Sequence, residues 1–214
     1  MDSKKVYTHS IEIAVQNGET DLFHASMEKN RECVAAIDEA IRACNYEEYR
    51  YKFSEAVKSV TGQYGFERVN FVLAATLQHR EYDGRFSQAH KKCARGFAVP
   101  NEAHTNFAFN THPVVLDGFV NSVRKAHVEM LAQEVGQYEK SHHMAERNRM
   151  TYFHSDFGVF VPYPIATEER LMARHSEIME KKSVLEQIRA ARKEQKQPAT
   201  PKPERDKKQR GPEL

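Results

Sequence analysis

The stretch ERVNFVLAATLQHREYDGRF, Glu67 to Phe86, decides how this chain is read. Phe66, Val69, Leu73 and Leu77 recur at steps of three and four, so they share one face of a helix. Asp83-Gly84 is the expected stop, because glycine tolerates the left-handed conformation that ends helices. Arg85 comes next, a permanent positive charge between Gly84 and Phe86. A helix that delivers a charged, aromatic-flanked loop is the kind of rigid scaffold on which binding residues sit.

Working outward, the same periodicity recurs on both sides. Residues 6–16 read as a short helix ended by Asn17-Gly18, and residues 20–44 as one or two helices carrying Phe23, Met27, Val34, Ile37 and Ile41 on one side. Tyr46, Tyr49 and Phe53 continue at helical spacing toward Val60, and Gly62 and Gly65 punctuate the chain before Glu67. Ser87 to Ala98 reads as another short helix before Val99-Pro100. His112-Pro113 opens the clearest helix of the second half, with Leu116, Phe119, Val120, Val123, His127, Met130 and Leu131 as its stripe. Tyr152 to Ile165 breaks the pattern and reads as short extended segments, in hairpin form. Thr167 then caps a long helix whose stripe, Leu171, His175, Ile178, Leu185 and Ile188, is narrow and charge-flanked, as suits docking on a partner or on the domain itself. From Gln195 on, Pro, Lys and Arg dominate and disorder is expected.

The expected architecture is therefore mainly α: a compact helical domain over 5–150, an extended aromatic segment over 151–166, an amphipathic helix over 167–195 and a disordered basic tail over 196–214. No apolar run approaches the roughly 18 residues of a membrane span. No signal-peptide pattern is present at the N-terminus, and the three cysteines lack a Cys-x-x-Cys pair, so a reducing, cytoplasmic setting is expected. The net charge of +2 hides a gradient, from −4 over residues 1–50 to +6 over residues 181–214. The body is not a nucleic-acid binder by charge, whereas Lys202, Arg205, Lys207, Lys208 and Arg210 give the tail a basic character that nucleic acid would answer. Aromatic Tyr46, Tyr49 and Phe53, interleaved with Arg50 and Lys52, also carry the mixture that stacks on exposed bases, although a core stripe is the plainer reading.

Chemistry is harder to find. The chain holds no Gly-x-Ser-x-Gly, no phosphate-cradling glycine loop and no full set of metal ligands. His90 and Cys93 are spaced as a ligand pair that nothing completes, adjacent His142-His143 diverge on a helix, and His127 on an apolar stripe reads as a core histidine. Neither a metal nor another cofactor is expected. Asp83, Arg85 and His112 are the one polar set that would support proton transfer, with Asp83 orienting His112. The plainer alternative has Asp83 capping a turn, Arg85 pairing with a carboxylate of the body and His112 capping the helix ahead of Pro113.

Several of these residues also carry a family resemblance. Tyr7, Asn17-Gly18-Glu19, Ser26, Asn30, Ala36-Ile37 and Ala40-Ile41 open it. Glu67-Arg68-Val69, Leu73-Ala74 and Asp83-Gly84-Arg85-Phe86-Ser87 continue it, and Asn110-Thr111-His112-Pro113 closes it. Over about residues 5–130 the chain resembles an uncharacterised domain family carried on conjugative and phage-like elements of Gram-positive bacteria. The lysine- and proline-rich ending is similar to tails of such element-encoded proteins, and the segment 152–165 falls outside the resemblance. The resemblance implies no activity. It implies a setting in which a small helical protein without enzyme signatures would bind a host nuclease, such as a CRISPR effector, as an anti-defence inhibitor. On that expectation Asp83, Arg85, Phe86 and His112 face the protein partner. The alternatives are an accessory protein of element transfer that binds nucleic acid through its tail, and an enzyme built on His112 and Asp83.

Overall fold

The structure, a computed structural model, describes residues 5–47, 50–141, 152–154, 160–162 and 168–195. Six helices dominate them: α1 (Ile11–Asn17), α2 (Thr20–Arg42), α3 (Ser54–His79), α4 (Gln88–Ala94), α5 (Pro113–Ser141) and α6 (Glu168–Gln195). Two short antiparallel pairs accompany them, β1 (Tyr46–Glu47) with β2 (Arg50–Tyr51) and β3 (Tyr152–His154) with β4 (Phe160–Pro162). The fold is mainly helical, as its periodicity predicts.

From Arg68 to Leu77 every residue but Asn70 is buried. The reading of one apolar face understates this helix, because Phe71, Val72 and Ala75 are enclosed as well. A helix that is apolar all round is stable only inside a protein. α3 accordingly lies at the centre, against α2 on one side and α4 and α5 on the others. It bends at Gly65, whose φ of 76° and ψ of 155° fall in a region that only glycine occupies without strain. That bend lets the first half carry Val57 and Val60 into the core and the second half run through it.

Three local expectations are corrected by packing. Gly84 does not end the helix in a left-handed turn; among the described residues the glycines with positive φ are Gly18 and Gly65. α3 stops at His79, and the chain turns through a bond from Asp83 N to Arg80 O. Tyr46 to Phe53 is not the start of a helix. Tyr46 and Tyr51 face each other across β1–β2 with ring centroids 4.9 Å apart, and Tyr51 stacks on Phe53. Phe53 reaches the core and meets Phe119 edge-on, while Tyr46 remains exposed. α1 is also shorter than expected: its cap is Ser10, which is extended and accepts from Ile13 N.

The predicted stripe of α5 is largely confirmed, with Leu116, Phe119, Val120, Val123 and Leu131 buried. α5 outruns the main core, and its later half forms a second cluster in which Val128, Ala132 and Val135 pack with Leu171 and Ile178 of α6. α6 runs in the same direction as α5, since His175 bonds Glu134 at 2.7 Å and Lys182 lies over Tyr138. Leu185 and Ile188, further along, are exposed, so the stripe of α6 docks on the domain only in its first half. Cys33 is wholly buried, and burial pushes its thiol up to about 12, which makes it an inert apolar group. No described helix is long and apolar enough to cross a membrane.

Candidate functional site

The loop between α3 and α4 is fixed from both ends. Asp83 accepts three bonds from Arg85: Nε at 2.8 Å and backbone N at 3.0 Å on Oδ1, and a guanidinium NH2 at 2.7 Å on Oδ2. Lys91, buried on α4, donates to Asp83 O at 2.7 Å. Phe86 is 2% exposed and anchors the loop in the core. Ser87 then caps α4 through His90 N, and its own N–H donates to Asp117 at 3.0 Å. Each residue of Asp-Gly-Arg-Phe-Ser except Gly84 therefore has a defined structural task. At the tip stands Tyr82, 99% exposed, and Arg85 is exposed in the same loop. Beside the loop an open groove is lined by Gln78, His79, Glu81, Lys91, Arg95 and Pro100.

The structure sorts the expected site residues. Asp83 and Arg85 lie together in the loop, but Arg85 pairs with Asp83 itself rather than with a carboxylate elsewhere in the body. Phe86 does not face outward; its place between charged and polar neighbours suggests exposure, but burying the ring is worth more. His112 is exposed and accepts from Val114 N at 3.4 Å, which is helix capping ahead of Pro113. Asp83 does not orient His112: the carboxylate accepts from Arg85, while His112 Nδ1 accepts from Val114 N and no hydrogen bond joins the two side chains. Lys202, Arg205, Lys207, Lys208 and Arg210, together with Tyr49 and His142-His143, lie outside the described residues. Sequence reasoning misses Tyr82 as a site residue, although its place in a loop next to Asp83-Gly84 is a usable signal.

The Arg85 side chain, then its backbone N–H, holds the Asp83 carboxyl well below the usual carboxylate range. A depressed carboxyl contributes stability above its unfolded value of 3.8 and loses it only as pH falls through the lower folded value. At about pH 3, where most free aspartates are protonated, Asp83 should remain ionised and the loop closed. A carboxyl-carbon NMR titration checks this; a midpoint near 3.8 would show that the pair does not form in solution.

A carboxylate–histidine pair does exist, away from the expected one. His90 Nδ1 lies 2.7 Å from Asp117 Oδ1, joining α4 to α5 beside the packed junction under α3. Among the described residues, no group of three or more His, Cys, Asp or Glu side chains is placed to hold a metal ion. Elsewhere the polar groups are joints. Asp38 of α2 accepts from Asn110 N, Thr111 N and Thr111 Oγ1 at 2.8, 3.0 and 2.6 Å. Arg68, fully buried, donates to Ser26 O at 3.0 Å, to Asn30 Oδ1 and to Lys5 O.

A family model described as "Protein of unknown function (DUF3849)" matches residues 6–128, more than half of the chain and nearly the span over which the sequence motifs run. No curated protein and no solved structure matches.

Proposed function

We propose that this chain, which belongs to the DUF3849 family, is a non-enzymatic binding protein that captures a protein partner on the loop Arg80–Arg85. The observation that carries the reading is Tyr82, almost wholly exposed on a loop whose backbone is already locked by Asp83, Lys91 and Phe86. Tyrosine and arginine dominate the energetics of protein interfaces, and a loop ordered in advance loses little entropy on binding. Tyr82 and Arg85 supply both residue types beside a groove that would accept a partner's side chains. The mobile-element setting implied by the resemblance makes a host nuclease, such as a CRISPR effector, the partner of choice, with the chain acting as its inhibitor.

An affinity pull-down with the full chain, in nuclease-treated lysate, tests this. Tyr82→Ala and Arg85→Glu should each weaken capture about 10-fold to 100-fold, the range of an interface hot spot. Tyr82→Ala should leave the melting temperature unchanged. Undiminished capture by both variants, or loss of capture only where the fold is also lost, would remove the reading.

The charge gradient supports a second reading, nucleic-acid binding by the tail, since Lys181 and Lys182 are exposed on α6 at the head of the basic region. Changing Lys202, Arg205, Lys207, Lys208 and Arg210 to alanine together should then weaken DNA or RNA binding about tenfold or more and flatten its salt dependence, because fewer counterions are released. Equal affinity in a filter-binding assay would discard it.

A further inference from the structure

Most of the large apolar side chains left exposed among the described residues fall in two places. One is the corner where Gly18 turns α1 into α2, with Ile11, Val15 and Leu22. The other is the distal half of α6, with Val184, Leu185 and Ile188. Single exposed apolar residues are ordinary, whereas groups of them mark surfaces that another molecule covers. We propose that these two faces bind each other between copies of this chain, so that the distal half of α6 from one protomer docks on the α1–α2 corner of the next. The contact does not involve the loop that carries Tyr82 and does not depend on that loop's function.

Both faces follow from the sequence. α1 has seven residues and buries only Ala14 of them. Its apolar residues at 11, 13 and 15 are spaced by two, which on a helix spreads them round the axis instead of gathering them on the core side. Ile11 and Val15, four apart, share one flank, and Val15 is 61% exposed. Leu22 follows on the first turn of α2. α6, in turn, is docked on α5 through Leu171 and Ile178, and the same seven-residue step continues to Leu185. Lys182 already lies over Tyr138, one turn before Ser141, the last described residue of α5. Beyond that point Leu185 is 52% exposed, and Val184, Leu185 and Ile188, three and four apart, form one face.

Charge selects what covers them. From Ile11 to Leu22 the chain carries Glu12, Glu19 and Asp21 and no lysine or arginine, a net of −3. From Lys181 to Gln195 it carries five basic side chains against two acidic ones, Glu186 and Glu194, a net of +3. Pairing either face with its own copy would bring like charges together, whereas pairing one with the other sets opposite signs around two apolar centres. An apolar centre with a charged rim is the ordinary anatomy of a protein interface. Because the two faces differ, the contact is head-to-tail. Every copy offers one of each, and association continues until a ring closes or a filament grows.

Sedimentation velocity of the nuclease-treated full chain tests this. The average mass should rise above that of the monomer as concentration is raised. Added sodium chloride should reverse the rise, since salt screens the attraction between exposed charges. Val15→Lys and Leu185→Glu should each weaken self-association by about tenfold or more. Both side chains are exposed, so the far-ultraviolet circular dichroism should not change. Should either variant fail to fold, Leu22→Lys or Ile188→Glu stands in for it. The equimolar mixture of the two variants separates head-to-tail from like-with-like contact. The first variant keeps its α6 face and the second keeps its corner, so together they should form a one-to-one dimer that grows no further. A wild-type chain that stays monomeric at every concentration would overturn the proposal, as would a mixture of folded variants that forms no dimer. Undiminished association in either variant would overturn it too, and loss in Leu185→Glu alone would point instead to contact between two α6 helices.

Discussion

Arg68→Met should lower the melting temperature by about 10 °C, corresponding to a loss of about 3 kcal/mol in a domain of this size. Arg68 is fully buried at the seam of α2 and α3, and methionine would fill much of the same volume. What disappears is the donor head. Its guanidinium bonds Ser26 O, Asn30 Oδ1 and Lys5 O, and Ser26 and Asn30 are themselves fully buried. Each buried acceptor left without a donor costs about 1–3 kcal/mol, while removing a buried charge returns part of its desolvation cost. Burial already pulls the guanidinium below its ordinary pKa, so that returned part is real but smaller than the loss. The variant should also loosen the N-terminal segment, because Tyr7 N donates to Ser26 Oγ at 2.9 Å beside the same head. Thermal melting and amide exchange at Tyr7 check the two effects. A melt within about 2 °C of wild type would show that the cluster contributes little to stability.

Asp38→Ala is the second large effect, with an expected loss of about 2–4 kcal/mol. The carboxylate accepts from Asn110 N, Thr111 N and Thr111 Oγ1, and so ties α2 to the loop that ends at Pro113. Bonds to a charged acceptor contribute about 1.5–3 kcal/mol each, and the loop is exposed enough for water to replace part of that. Asp38→Asn keeps one acceptor oxygen and should lose about half as much, a contrast that separates hydrogen bonding from simple packing. Chemical denaturation of both variants measures it. Equal midpoints for wild type and Asp38→Ala would show that the loop is held by Phe107 and Phe109, which are buried beside it, and not by the carboxylate.

Both residues bear on how the family resemblance should be understood. Ser26, Asn30, Arg68 and Asn110-Thr111 are among its elements, and in the structure they are joints between segments far apart in the chain. The same holds for Asp83, Phe86 and Ser87, whose tasks are to close a loop, anchor it and cap α4. A motif assembled from such residues identifies a fold well and an activity poorly, because its members act on the chain itself. Tyr82, almost wholly exposed, stands outside those bonds.

What is legible in the sequence depends on the range of the interaction involved. The stripe of α5 and its start at Pro113 can be read directly, since a helical face and a proline at the first turn are set within a few residues. The capping reading of His112 and the turn at Asp83 are equally local. Tyr46 to Phe53 misleads, because aromatic spacing of three and four fits a helix as well as a tight strand pair. The contact that chooses between them is Phe53 on Phe119, far along the chain. Phe86 misleads for a related reason, as nothing beside it in the chain says whether a core lies within reach.

By itself, the sequence determined the helical class, the elements that periodicity and caps can place, and the charge gradient along the chain. Each rests on steric and solvation rules that act within one or two helical turns. Only the tertiary structure decided that α3 is enclosed on all sides, that Arg68 and Asp38 pin distant segments, and that His90 meets Asp117. Those outcomes depend on hydrogen bonds and apolar contacts that form, for the most part, between residues far apart in the chain, whose partners are chosen when the helices pack.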